Sequence, residues 1–338
     1  MIITPTKEIK DYLNRVKKNL DSNYQNDYLD GYVDINDELE AKKELMKAGQ
    51  QEYEIDINNP LFIKASEYKE NPYVKNIKLD SIIDDHFSYE LVTIEKGYLF
   101  NSDAIIDDKD RELKDYMKLR ALDEDIKAIF LYQDNEEWMM SVPSEFITND
   151  PYAKKAHGNV VTFGLGIGYF VYMCLLNKNV ESITVIEKEK EVINIFNKIK
   201  DQFPNSNKIR IINGDAFNYF NEDYLKDFDY IYVDIYKSSD DGRALIEKLL
   251  EQYLPDIEKC DFWIENSCLS IIKTLIYLYY DENVYKRHNK VYKEYLPLFN
   301  KVRHYFNKLD IEVNDVDNLK DYMYSRQAIR EILHTKTS

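Results

Sequence analysis

Three glycines stand at alternate positions in Gly164-Leu165-Gly166-Ile167-Gly168, directly after the apolar run 160–163. Glycine at such a place permits a tight strand-to-helix turn and lets a ligand lie against bare backbone, with helix N-terminal amides behind it. The acids that follow narrow the chemistry. Glu187 lies 19 residues beyond Gly168, where a carboxylate can accept hydrogen bonds from both hydroxyls of a ribose. Asp215, within Gly214-Asp215-Ala216, could accept from the exocyclic amine of an adenine. Asp234, followed by Ile235 and Tyr236, comes next. One glycine loop and three carboxylates converge only if each ends a strand of the same sheet.

The hydrophobic pattern supplies those strands. Short apolar runs at 160–163, 182–186, 208–212, 230–233 and 262–264 alternate with helical patterns at 169–176, 189–200, 216–220 and 243–253. Strands apolar throughout are covered on both faces, which predicts an α/β fold with a Rossmann-like, doubly wound parallel sheet. In such a sheet, ligands bind beyond the carboxyl ends of the strands. Upstream, the pattern predicts helices near 4–20 and 36–47, a hairpin over 89–100 around Glu95-Lys96-Gly97, a charged helix at 111–119, and a second hairpin pairing 128–132 with 138–142. Beyond Ser267 the chain reads as helices. Tyr295, Leu298, Val302, Tyr305 and Leu309 form a two-heptad seam expected to pack on the same chain, with a homo-oligomer left open. The organisation expected is an N-terminal α+β region at 1–125, a hairpin connector at 126–150, the sheet domain at 151–280 and a helical segment at 281–338.

The glycine spacing separates two cofactor classes. A dinucleotide fingerprint needs glycine at the sixth position of G-x-G-x-x-G, and that position is Tyr169. Gly164-x-Gly166-x-Gly168 instead resembles the G-x-G-x-G loop of class I S-adenosylmethionine (SAM) dependent methyltransferases. Within that superfamily, the segments 180–187, 208–216 and 229–234 look most like the spermidine synthase branch. The resemblance covers about 158–265. It implies SAM as cofactor, with Gly164, Leu165, Gly166 and Gly168 bordering its methionine part, Glu187 its ribose, and Asp215 with Ala216 its adenine.

The chain also departs from that branch. Aminopropyltransferases carry an acid inside the glycine loop, where Ile167 stands here. Their catalytic strand end reads roughly D-S/T-S-D-P, against Asp234-Ile235-Tyr236-Lys237-Ser238-Ser239-Asp240. Their preceding tyrosine and glutamate motif has only a loose counterpart in Glu136-Glu137-Trp138. The resemblance therefore implies first a SAM-dependent methyltransferase acting on a small-molecule acceptor. The alternatives are an aminopropyltransferase using decarboxylated SAM and a non-catalytic SAM- or nucleoside-binding protein. Asp234 is the expected catalytic residue, positioning or deprotonating the acceptor; holding the methionine amine is its other reading. Tyr236 and Glu265 are expected on the acceptor side, although Glu265-Asn266 also suits a helix start before Ser267.

Composition sets the outer bounds. The chain has 338 residues but only 9 glycines, where average usage of about 7% would give roughly 24. Its 45 basic and 62 acidic residues leave a net charge of −17, which disfavours nucleic acid and anionic membrane as partners and favours a small or cationic one. Three cysteines in apolar contexts fit neither a disulfide framework nor a metal site, and no metal is expected. With no secretory pattern at the N-terminus, the expected location is the cytoplasm. The 29 tyrosines read as ordinary half-buried packing.

Overall fold

The computed structural model describes residues 1–21, 31–79, 82–84, 86–102 and 109–336. It is a mixed α/β molecule built around a parallel five-stranded sheet.

Helix α1 (Lys7–Asp21) buries Ile9, Tyr12, Leu13 and Val16, one face of a 3.6-residue period. A four-stranded antiparallel sheet follows, made of β1 (Ile82–Asp84), β2 (Phe87–Ile94), β3 (Ile126–Gln133) and β4 (Glu136–Met140), in that spatial order. The second expected hairpin forms: Phe130 opposes Met140 and Gln133 opposes Glu136. Asp134 and Asn135 turn it with φ of 52° and 67°, as tight hairpin turns require.

Two upstream expectations fail. Residues 89–94 do not pair with 98–100. All eight residues of β2 pair with β3, while Phe100–Asn101 pairs with Leu119–Leu122. The Glu95-Lys96-Gly97 turn is held from outside, with Val33 N donating to Gly97 O and Gly97 N to Leu122 O, both at 2.9 Å, and this steers the following residues elsewhere. The charged helix at 111–119 is also absent. Glu112 and Leu113 take positive φ values of 54° and 62°, Leu113 enters the core, and its N donates to the Tyr324 hydroxyl at 3.0 Å. Long-range burial thus overrides local helix propensity.

Helix α2 (Pro143–Lys155) leads into the parallel sheet. Its strands are β5 (Gly158–Phe163), β6 (Val180–Glu187), β7 (Ile209–Asn213), β8 (Tyr230–Val233) and β9 (Cys260–Phe262), arranged β7-β6-β5-β8-β9 with every neighbour parallel. Helices α3 (Tyr169–Leu176), α4 (Lys190–Ile199) and α5 (Ser239–Gln252) make the crossovers after β5, β6 and β8. Period-two alternation divides the strands between two cores. Val160, Val185, Tyr230 and Tyr232 pack with α2, α3, α4 and the antiparallel sheet. Val161, Phe163, Ile231 and Val233 pack with α1, α5 and the C-terminal helices α6 (Ser270–Tyr285), α7 (Leu296–Lys308), α8 (Val316–Tyr324) and α9 (Arg326–His334). The seam on α7 packs within the chain, burying Leu298 and Val302 beside Phe299 and Phe306. Among the described residues, no helix is long and apolar enough to cross a membrane.

Candidate functional site

The strand order reverses between β6-β5 and β8, so the loops after β5 and β8 separate and leave a crevice. A cavity of about 640 Å³ lies there. Gly164, Leu165, Gly166, Glu187, Asp215, Ala216, Asp234 and Tyr236 all line it. The second wall comes from the antiparallel sheet and α2, through Trp138, Met139, Glu145 and Thr148.

Close approach explains the first two glycines. A Cβ on Gly164, which has φ of +95°, would stand 1.9 Å from Asp234 O; a Cβ on Gly166 would stand 1.9 Å from Met139 Sδ. The loop is also held from the N-terminal side. The buried Tyr89 and Tyr73 hydroxyls donate to Gly166 O at 2.6 Å and Ile167 O at 2.7 Å, and Ile167 N donates to Met139 Sδ at 3.4 Å. Gly168 does not line the cavity. It is the left-handed N-cap of α3, where a Cβ would strike Phe196 and Phe203, so close packing requires a glycine there. The Ile167 side chain is wholly buried in the core below, so this loop presents no acid.

Glu187 is 9% exposed and accepts from Leu165 N at 2.9 Å and from Glu189 N at 2.8 Å. Burial raises its pKa and those amides partly offset the rise. Each carboxylate oxygen keeps a further acceptor site on a cavity-lining residue. Asp215 caps the short helix Ala216–Tyr219, accepting from Phe217 N at 3.0 Å. The glycine cradle and this buried, amide-held carboxylate fit a nucleoside with its ribose at Glu187.

At the other end Asp234 has an acidic neighbour that no strand-end rule locates. Glu145, in the first turn of α2, is buried and lines the same cavity. Its Oε1 accepts from Asn149 Nδ2 at 2.6 Å, and Asn149 Oδ1 in turn accepts from the Tyr232 hydroxyl at 2.7 Å. No cation pairs with either carboxylate among the described residues. Burial pushes Asp234 up to about 7; burial, then the charge of Asp234, raises Glu145 well above the usual carboxylate range. A buried and a half-buried acid without a counter-ion bind protons and suit a cationic ligand. Glu136 and Glu137 are exposed on β4, and only Trp138 of that trio reaches the cavity.

Tyr236 forms a wall. Its hydroxyl donates to Trp263 O, its ring stacks on Trp263 with centroids 5.9 Å apart, and burial raises its pKa, so it offers a surface rather than a mobile proton. Glu265 does not line the cavity. Arg330 Nε and Nη2 donate to its two oxygens at 2.7 Å each and Arg326 Nε adds a third bond at 2.8 Å, which ties α9 to the end of the sheet outside the cavity. His157 is exposed before β5. The three cysteines are buried and free, with their thiol pKa values raised by burial.

No protein-family model and no curated protein matches the sequence. Among solved structures, the chain is similar to one described as "a putative sam-dependent methyltransferase from Streptococcus mutans", at 14% identity and a TM-score of 0.31. The similarity covers 48% of this chain and 45% of that one, less than half of either.

Proposed function

We propose that this chain is a SAM-dependent methyltransferase with a Rossmann-like, doubly wound core, acting on a small acceptor that carries an amine. The observation carrying this reading is one cavity with a nucleoside-type cradle at Gly164, Gly166 and Glu187 and a counter-ion-free acid pair, Glu145 and Asp234, at its other end. Glu187 would hold the ribose, Asp215 and Ala216 the adenine edge, and the backbone of Gly164 to Gly166 the methionyl end. SAM would supply a methyl carbon already bonded to positive sulfur, so transfer needs only in-line attack by a nitrogen lone pair, with the carbon–sulfur electron pair left on sulfur.

The chain's own contribution is orientation, desolvation and proton removal. Trp138, Tyr236 and Trp263 exclude water from the acid end. Glu145 and Asp234 draw in an ammonium, and Asp234, near neutrality in affinity for a proton, accepts the one that masks the nucleophile. Aminopropyl transfer is the second reading. The same acid pair favours it, and the buried, apolar Ile167 disfavours it.

Calorimetry with SAM and with decarboxylated SAM tests the choice. Binding of SAM at least as tight as that of the decarboxylated form is expected, and Glu187→Ala should weaken it about tenfold through loss of a buried acceptor. A clear preference for decarboxylated SAM would replace methyl by aminopropyl transfer, and unchanged affinity in Glu187→Ala would displace the ribose.

A further inference from the structure

The acid end of the cavity contains one residue of opposite charge that the proposed reaction does not use. Lys237, three residues beyond Asp234, lines the cavity at its exposed rim. Its ammonium stands 4.5 Å from the ring centroid of Trp138, across the cavity on β4. Among the described residues it has no ion pair and no hydrogen-bond acceptor, in a cavity whose lining also carries Glu145, Glu187, Asp215 and Asp234. Asp241 does not take it either. That carboxylate accepts from the backbone N of Lys237 and Ser238, at 3.2 and 2.9 Å, and closes the capping box of α5. Among the described residues the only other cation in the lining, Lys188, follows Glu187 at the opposite end.

An ammonium on the rim of an acid-lined cavity changes which cations can enter. A diamine or longer polyamine would bring its second charge toward Lys237, and like charges within a low-dielectric cleft repel. A molecule with one ammonium and one carboxylate satisfies both signs at once. We propose that Lys237 is a carboxylate-binding residue that makes this end of the cavity a subsite for an amino-acid group, its ammonium on Glu145 and Asp234 and its carboxylate on Lys237. The inference rests on the adenosyl reading of the opposite end. That group is the acceptor's, since the donor's methionyl end is placed on the backbone of Gly164 to Gly166.

Calorimetry on the full chain tests this. Methylthioadenosine, which lacks the amino-acid group, probes the adenosyl end alone; S-adenosylhomocysteine adds that group. The twenty free L-amino acids and putrescine are titrated onto methylthioadenosine-loaded protein, wild type and Lys237→Gln. If the carboxylate is the acceptor's, at least one amino acid binds and Lys237→Gln weakens it about tenfold, with methylthioadenosine affinity unchanged. If Lys237→Gln instead weakens S-adenosylhomocysteine by that factor and leaves amino-acid binding unchanged, the carboxylate is the donor's and the proposal is overturned. It is also overturned if Lys237→Gln alters neither, or if putrescine binds the wild type more tightly than every amino acid. Failure of methylthioadenosine to bind the wild type would instead overturn the adenosyl reading itself. The native fold of Lys237→Gln is checked by an unchanged thermal midpoint.

Discussion

Asp234 and Glu145 are held in a state that costs the unliganded protein stability. Asp234 has a pKa raised from 3.8 to about 7, so between those values the folded chain binds more protons than the unfolded one and stability falls as pH rises. Removing one ionisable partner removes that loss. Asp234→Asn should raise the thermal midpoint at pH 8 by roughly 2–4 °C and have little effect near pH 4, while reducing turnover at least a hundredfold. A midpoint lowered equally at both pH values would mean that the carboxylate is structurally required. Asp234 is legible in the sequence because a strand end is a predictable place. Glu145 is not, because it reaches the cavity from a helix outside the alternating pattern, and only tertiary placement reveals it. A buried glutamate at the third helical position, after Pro143, was the available signal, but such a glutamate is ordinary helix punctuation.

The glycine loop shows how one element is shaped by others. Its Gly166 and Ile167 carbonyls are fixed by tyrosine hydroxyls from β2 and from the short helix Pro72–Asn76, and its Ile167 amide by a thioether from β4. Tyr89→Phe leaves the Gly166 carbonyl without its buried partner at a cost of about 1–3 kcal/mol. We expect S-adenosylhomocysteine affinity to fall about three- to tenfold. Tyr68→Phe is the matched control. Its hydroxyl serves Ser141 O at 2.8 Å, away from the loop, so it should lower the thermal midpoint without altering affinity. Equal effects of the two on binding would show that general loosening, not loop shape, is being measured. The loop's own sequence announces the turn, and the parallel strands around it are legible because each is a short apolar run between turn signals. The antiparallel sheet is less so. Its β2–β3 pairing joins residues some forty positions apart, whereas pattern reading favours the nearer partner across Gly97.

At the scale of the molecule, the face of the parallel sheet away from the antiparallel layer is closed by helices from both ends of the chain. Helix α1 packs against α6 and α8, although sequence order alone groups it with the residues that follow it. Arg330 locks this layer. It is fully buried, pairs with Glu265, and donates to Cys260 O at 3.0 Å. Glu265→Gln leaves the buried Arg330 without its counter-ion, while Arg326 keeps Asp261, and should cost about 3 kcal/mol, read as a lower denaturant midpoint. Affinity for S-adenosylhomocysteine in the surviving native fraction should stay unchanged, and a loss there would return Glu265 to the site.

The pairing of Ile2-Ile3 with Glu312-Val313 gives this layer a kinetic consequence. Loop closure over some three hundred residues must precede it, so contacts of very high sequence separation form late. During synthesis the apolar stripe of α1 waits exposed until the helices after residue 270 emerge. Helix α1 is thus buried later than the elements that directly follow it, and a chain interrupted before α6 exposes that stripe to chaperones and to other nascent copies.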